Sequence, residues 1–177
     1  GEIAYGGIVS LLKDNNFKVI NVNLLTEDIP EEVSLIVISS PEYDYTPEEL
    51  TKLDKYFERY KWAIVALPTN SPSLPEFELF LNEWGVSYGR ATVLDSQYKL
   101  TADYSAVVSG PASTDKLLTG VGYVVTPVSR PISILWPSSD RFYGRMTTPL
   151  LSTFPTSYAR PWGEDQTIET YERQEGD

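Results

Sequence analysis

Residues 33–68 contain the pattern that most restricts the fold: an apolar run, an acidic loop, an amphipathic segment and a second apolar run. The first run, Leu35–Ser39, is continuous and rich in β-branched residues, which is typical of a strand buried on both faces of a parallel sheet. The second run, residues 62–67, has the same character. Two parallel strands joined through a helix form a right-handed crossover in nearly all known proteins. The stretch therefore predicts a strand–helix–strand unit.

The helix of this unit has a clear starting signal. Thr46 can cap the first free N–H groups, Pro47 occupies a position where no N–H is needed, and Glu49 completes a Thr-x-x-Glu capping box. Apolar residues then recur at three- and four-residue spacing, which predicts a stripe that packs on the sheet. The predicted stripe consists of Leu50, Leu53, Phe57 and Tyr60.

The segments around this unit predict further parts of a layered α/β fold. Residues 17–22 alternate in polarity and predict a strand, and residues 3–12 predict a short helix before it. Because a doubly wound sheet normally has a strand ahead of such a helix, we expect that this strand was cut off. Another helix is expected to begin at Pro75 and to end at Gly85, where glycine suits a helix terminus.

The second half of the chain changes character. Its short β-type runs are interrupted by glycine and proline, which predicts edge or antiparallel strands. The predicted fold class is therefore α/β, with a mainly parallel sheet flanked by helices and late antiparallel or edge strands. Residues 1–163 are expected to form a single domain, and residues 164–177 an acidic, mobile tail.

Residue types that are absent limit the possible chemistry. The chain has no cysteine and no histidine, which removes thiol nucleophiles, Ser-His-Asp triads and the commonest transition-metal ligand. It contains no P-loop motif for nucleoside triphosphates. The net charge of −11 disfavours nucleic acid and anionic lipid as ligands. No apolar run is long enough to span a membrane. We predict a protein that is not an enzyme and that uses no cofactor.

The carboxyl ends of the two central strands define a candidate binding rim. In open α/β sheets, ligands bind beyond these ends. Neighbouring aromatic and acidic side chains there can stack on a sugar or hold a peptide, and a partly buried loop with ordinary tyrosines is the alternative. The predicted rim consists of Ser39, Ser40, Glu42, Tyr43, Tyr45, Thr69 and Asn70.

Acidic residues also lie on both sides of the first central strand. Their oxygens could hold a hard cation such as calcium, but they lack the spacing of an EF-hand, and most acids in so acidic a chain are solvated. We therefore predict no metal site. A hydrolase that uses only carboxylates ranks last among the functions, because no pair of acids stands out. The acidic residues are Asp28, Glu31, Glu32, Glu42 and Asp44.

Several segments, taken in order, carry a family resemblance. They are ISSPEYDYTPEELTKLDKYFERY, WAIVALP followed by LPEFELFLNEWGV, GYVVTPVSRPISIL and LLSTFPTSYARPW, and the match extends from Gly1 to Trp162. Together they resemble the ABC-transporter auxiliary domain family, the GldG-like proteins of gliding-motility-type ABC transport systems. The fold of that family is similar to class I glutamine amidotransferases, which are flavodoxin-like, and to the GIFT domain of intraflagellar transport. Amidotransferase activity itself is excluded here, because it requires a cysteine and a histidine.

The resemblance implies a non-catalytic, extracytoplasmic accessory or interaction domain of an ABC-type transport system. Such a domain would be tethered at the outer face of the cell membrane by segments outside this chain. Its implied partners are the membrane subunits of an ABC transporter. The alternative is a small-molecule, glycan or peptide-binding module that uses the rim defined above.

Overall fold

The computed structural model describes residues 6–67, 69, 71–113, 116–136, 147–162 and 172–173. The chain divides into two units, Gly1–Ala66 and Leu67–Asp177. The single domain expected for residues 1–163 stays a prediction. The acidic tail expected for residues 164–177 lies almost entirely outside the described residues.

The first unit is built around the predicted strand–helix–strand unit. Its elements, in chain order, are α1 (Gly6–Asp14), β1 (Leu35–Ser39), α2 (Pro47–Phe57) and β2 (Trp62–Ala66). Strands β1 and β2 pair in parallel, with Leu35 opposite Trp62 and Ser39 opposite Ala66. The pairing confirms the prediction of two parallel strands joined by a helix.

Helix α2 begins with the predicted capping box. The Glu49 backbone N–H donates to the Thr46 hydroxyl at 3.3 Å, and the Thr46 N–H donates to the Glu49 carboxylate at 2.9 Å. Pro47 occupies the first turn, as expected. These two reciprocal bonds satisfy backbone donors that the first turn of a helix leaves without partners.

The strand predicted at residues 17–22 does not form, and the prediction is wrong. These residues follow α1 without strand structure. A strand requires a neighbour that exchanges backbone hydrogen bonds with it. Among the described residues, β1 pairs only with β2 and offers no such neighbour to residues 17–22. Residues 17–22 therefore alternate in polarity but have no neighbouring strand with which to form a β-ladder.

The second unit contains one described helix followed by short strands. The helix is α3 (Pro75–Glu83). Three sheets form, β3 with β7, β4 with β9, and β5 between β6 and β8, and every pair is antiparallel. The strands are β3 (Val86–Tyr88), β4 (Ala91–Asp95), β5 (Ala106–Pro111), β6 (Val124–Pro127), β7 (Ile132–Ile134), β8 (Leu151–Thr153) and β9 (Ser157–Pro161), and a 3₁₀ turn covers Lys116–Leu118.

The predicted mainly parallel sheet flanked by helices is wrong. Of the sheets in the described part of the chain, only β1–β2 is parallel, and small antiparallel sheets predominate. The physical reason is the type of connection. Parallel neighbours require crossovers of a dozen or more residues, usually through a helix, whereas antiparallel neighbours accept short turns. After α3 no described α-helix separates the strands.

Gly85 ends α3 as the sequence predicts, and its surroundings add a second reason for glycine. Its φ of 84° lies in the left-handed region. A Cβ at this position would also lie 2.6 Å from the Thr147 hydroxyl oxygen and 3.0 Å from the Trp136 ring. Both the backbone conformation and the close packing therefore exclude a side chain.

Asp95 is the buried polar centre of the second unit. Its side chain is 0% exposed, at the end of β4. It accepts hydrogen bonds from the backbone N–H groups of Gln97 at 2.8 Å and Tyr98 at 2.9 Å, and from the Thr156 hydroxyl at 2.8 Å. The carboxylate thus ties the turn after β4 to the turn that precedes β9. A buried carboxylate with several donors has its hydrogen bonds satisfied. If it is removed, the donors remain buried without an acceptor.

We expect Thr46→Ala to lower the free energy of unfolding by about 1 kcal/mol, because the helix loses its cap. Thr51→Ala is the matched control. The Thr51 hydroxyl bonds back to the Pro47 carbonyl within the same helix, and this type of bond contributes little to helix stability. Urea denaturation of both variants measures the difference. Equal losses for the two variants would show that the capping box contributes nothing.

We expect Asp95→Ala to lower the free energy of unfolding by about 3 kcal/mol, since it leaves buried donors without an acceptor. Asp103→Ala is the control, because Asp103 also accepts bonds from the Ser105 N–H and hydroxyl but lies exposed. Its effect should be clearly smaller. Thermal and urea denaturation measure both; a mild effect of Asp95→Ala would contradict the central role of this carboxylate.

Candidate functional site

The structure does not gather the predicted rim residues into one site. Ser39 and Tyr45 line a cavity in the first unit, whereas Glu42 and Tyr43 lie outside its walls, and the Tyr43 side chain is 83% exposed. Ser40 has a φ of 49° and donates its N–H to the Ala66 carbonyl at 3.0 Å, so it closes the strand end. Of the two rim residues after β2, Thr69 belongs to the second unit, and Asn70 lies outside the described residues.

The cavity in the first unit has a volume of about 960 Å³. Residues 16–24 form one wall and all of β1 forms another, with side chains of α1 and α2 completing the lining. The contributions from the two helices are mainly apolar and include Ile8, Leu12 and Leu53. The wall formed by residues 16–24 also contributes polar side chains, among them Asn16 and Asn21. A cavity of this size is large for a unit of so few residues.

The acidic residues near β1 do not gather into one cluster in the described part of the chain. No group of three acidic side chains converges there. Instead, Lys52 fixes the acidic loop: its ammonium donates to the carbonyls of Leu24 at 2.7 Å and Glu27 at 2.8 Å, and lies 3.4 Å from the Asp28 carboxylate. The Asp28 side chain is 90% exposed, so the pair contributes little to stability.

Strand β2 presents apolar side chains to solvent. Trp62 is 73% exposed, Ile64 42% and Val65 37%. Because side chains alternate along a strand, Trp62 and Ile64 lie on one face and Val65 lies on the other. The prediction of a strand buried on both faces is therefore wrong for β2. The apolar run has the composition of a buried strand, but in the described first unit Ala63 is half-buried and the other four residues of β2 are exposed.

Tyr56 attaches helix α2 to the start of this exposed strand. Its ring is 2% exposed, and its hydroxyl donates to the Trp62 carbonyl at 2.9 Å. Burial raises the pKa of Tyr56, and hydrogen bonds to the backbone of Trp62 and Ile36 act in the opposite direction. Of the predicted apolar stripe, Leu53 is buried, but Tyr60 lies beyond the helix end and is 95% exposed. Tyr56 follows Leu53 by three residues, so it lies on the same buried face of the helix. This spacing is the sequence signal that could have predicted its burial.

Arg130 is a buried cation in the second unit, and no sequence pattern predicts its burial. The side chain is 9% exposed, with its guanidinium carbon 4.3 Å from the centre of the Tyr88 ring and 5.0 Å from that of Trp162. Its Nε–H donates to the Gly89 carbonyl at 3.0 Å. Burial lowers the pKa of Arg130, which Tyr88 and nearby Glu78 oppose. The contacts stabilise the β3–β4 turn against the residue after β9, which is a structural role.

Comparison with solved structures finds a similar fold. A structure titled "mmIFT52 N-terminal domain", from an intraflagellar transport protein, matches with a TM-score of 0.63. The two chains are 20% identical, and the match covers 86% of this chain and 74% of the other. At this identity the likeness shows the fold alone. No protein-family model matches the chain. No curated protein matches it either.

The resemblance to the ABC-transporter auxiliary family is therefore wrong. The structure reported above belongs to an intraflagellar transport protein, and the comparisons give no support to a GldG-like family. The predicted accessory function in ABC transport is also wrong, because it rested on this resemblance. The alternative, a small-molecule, glycan or peptide-binding module at the rim, has no support. The ABC-transporter partners and the extracytoplasmic location rested on the same resemblance and stay predictions. No described helix is both long and apolar enough to cross a membrane.

We expect Tyr56→Phe to lower the free energy of unfolding by about 1 kcal/mol, because it removes one buried hydrogen bond while keeping the ring. Tyr43→Phe is the matched control, since its side chain is 83% exposed and its loss of the hydroxyl should change stability little. Urea denaturation compares the two. If both variants match the unmodified chain, the bond from Tyr56 to the Trp62 carbonyl does not stabilise β2.

Proposed function

We propose that this chain is a non-catalytic protein-binding domain whose contact surface is the exposed strand β2. The observation that supports the proposal is the exposure of Trp62, Ile64 and Val65 in a strand of fully apolar sequence. Large apolar side chains gathered on one exposed element are typical of protein interaction sites. Tryptophan in particular is enriched among the residues that dominate binding energy.

The absence of catalytic residue types supports a binding role over an enzymatic one. With no cysteine and no histidine, a nucleophile would have to be activated by a carboxylate or an amine. Arg130, whose pKa is lowered by burial, contacts two aromatic rings in a structural role. The net charge of −11 favours a protein partner over a nucleic acid.

The chemistry of the surface describes the partner that it fits. Trp62 and Ile64 lie two residues apart on one face of the strand, a separation of about 7 Å. A partner needs an apolar cleft that accepts the indole ring and the adjacent aliphatic side chain. Burial of the indole then supplies a large part of the binding energy. The likeness to the solved structure shows only a shared fold, so it does not identify this partner.

We expect Trp62→Ser to weaken binding of the partner by about 30-fold, since truncation of a central tryptophan costs at least about 2 kcal/mol. The partner is first isolated by chemical cross-linking in the source cells, and the dissociation constant is then measured with purified proteins by calorimetry. Leu100→Ser is the matched control, because Leu100 is 70% exposed but belongs to the second unit.

The measurement can contradict the proposal in two ways. If Trp62→Ser and Leu100→Ser bind the partner as tightly as the unmodified chain does, β2 is not the contact surface. If the purified chain turns over a substrate in a broad hydrolase screen, the domain is not limited to binding. Circular dichroism of both variants confirms that any loss of binding does not come from unfolding.

A further inference from the structure

The sheet of the second unit that consists of β6, β5 and β8 has one buried face and one open face. On its central strand, Val107 is 0% exposed and Ser109 is 4% exposed, and these alternate residues define the buried face. Val108 and Gly110 point to the opposite side and are only half-buried. Val125, which lies opposite Val108 on β6, is 42% exposed. The second face of this sheet is therefore accessible to solvent.

Three aromatic rings lie on the open face. The Tyr123 ring covers Gly110 of the central strand, where a Cβ would lie 3.3 Å from a ring carbon. The centre of the Phe154 ring is 5.8 Å from that of Tyr123 and 4.0 Å from that of Tyr98, on which it stacks. Phe154 thus connects the two tyrosines. These residues, Tyr98, Phe154 and Tyr123, form the aromatic row.

The aromatic row is exposed and has no charged residue in the strands beneath it. Tyr123 is 74% exposed and Tyr98 is 44% exposed, whereas Phe154 is half-buried. Strands β5, β6 and β8 contain no charged side chain. The solvated face of an antiparallel sheet normally carries polar side chains. A face that instead carries exposed rings, in a chain of net charge −11, fits contact with an uncharged, apolar partner.

The exposed area of the row is too small for a stable dimer. If a fully exposed side chain of this kind presents about 200 Å², then Tyr98, Tyr123 and Val125 expose roughly 300 Å² together. A stable protein–protein interface buries about 800 Å² on each partner. Two aromatic rows packed on each other would bury less than half of that area. The row is therefore better suited to a short segment than to a second copy of this chain.

The length of the row matches one turn of a polyproline II helix. The two steps of 5.8 and 4.0 Å place the ring centres of Tyr98 and Tyr123 at most 9.8 Å apart. A polyproline II helix has three residues per turn and rises about 3.1 Å per residue, so one turn is about 9 Å long. Two prolines three residues apart can therefore contact one tyrosine ring each.

The polar groups of the face also suit such a segment. A polyproline II helix makes no internal hydrogen bonds, so its carbonyl groups need external donors, and a tyrosine hydroxyl is one. A sugar also stacks on aromatic rings, but each of its hydroxyl groups needs a partner. Ser109 and Thr126, the polar residues of β5 and β6, lie 3.4 Å apart on the buried face and do not reach the row. The face therefore favours a proline-rich segment over a sugar.

We propose that the aromatic row binds an uncharged, proline-rich segment of a protein partner in the polyproline II conformation. Because this conformation is already ordered before binding, the segment loses little entropy, which a contact of such small area requires. The row belongs to the second unit and β2 to the first. It is therefore a second contact surface, and it does not depend on the binding role proposed for β2.

The test is an NMR titration of the chain with decaproline, a peptide that adopts the polyproline II conformation. A decapeptide of alternating glycine and serine is the control peptide. We expect decaproline alone to shift the backbone amide signals of Tyr98, Tyr123 and Val125. Tyr123→Ala should weaken the binding at least about 10-fold, because it removes the most exposed ring of the row. Tyr43→Ala is the matched control, since Tyr43 is 83% exposed but lies in the first unit.

Two further variants separate the contributions to binding. Tyr123→Phe keeps the ring and removes the hydroxyl, so it should weaken binding of decaproline less than Tyr123→Ala does. Trp62→Ser should leave this binding unchanged, so that failure of the β2 proposal and failure of this one are distinguishable. Circular dichroism of each variant separates a loss of binding from unfolding.

Several outcomes would overturn the proposal. They are the absence of shifts at millimolar decaproline, shifts confined to the first unit, and equal binding by Tyr123→Ala and the unmodified chain. Tighter binding of cellohexaose than of decaproline at the same residues would identify a sugar as the ligand instead. A chain that forms a dimer, and that Tyr123→Ala converts to a monomer, would show a second copy to be the occupant.

Discussion

The parallel ladder between β1 and β2 is the interaction on which the first unit depends. It sets Leu35 opposite Trp62 and determines which backbone groups of β1 remain available at the other edge. The capped helix α2 stabilises the ladder through the buried Tyr56 hydroxyl, which reaches the Trp62 carbonyl. Parallel strands rely on neighbours on both edges and both faces. The cavity beside β1 and the exposed side chains of β2 are two consequences of the same limited coverage.

The second unit is stabilised in part by contacts of buried polar side chains. Its strands are short and antiparallel, and buried polar side chains link the turns between them. Asp95 collects donors from two turns, and Arg130 lies between two aromatic rings. Such groups are costly to remove because their partners remain buried. Their contacts have a structural role.

The capping box at Thr46, the parallel strand pair, the end of α3 at Gly85 and the short antiparallel strands of the second half could be predicted from the sequence. All of these depend on local signals, namely spacing, turn residues and backbone conformation. The candidate site could not be predicted in the same way. The rim assigned to Ser39, Tyr45 and their neighbours assumed a continuous parallel sheet, and the structure divides those residues between a cavity, an exposed loop and a separate unit. The family resemblance was wrong for a similar reason. It rested on short motifs, and each of these describes one local element without identifying a family.

What the sequence by itself determined is the capped start of α2, the end of α3 at Gly85 and the absence of histidine and cysteine chemistry. Only the tertiary structure decided which elements pair and which surfaces remain open. The apolar run of β2 has the composition of a core strand, yet Trp62 is 73% exposed. Residues 17–22 alternate as a strand does, yet they form no ladder. The burial and the pairing of a strand both depend on a second segment of the chain. The local sequence pattern does not specify that segment, so only the tertiary structure decides them.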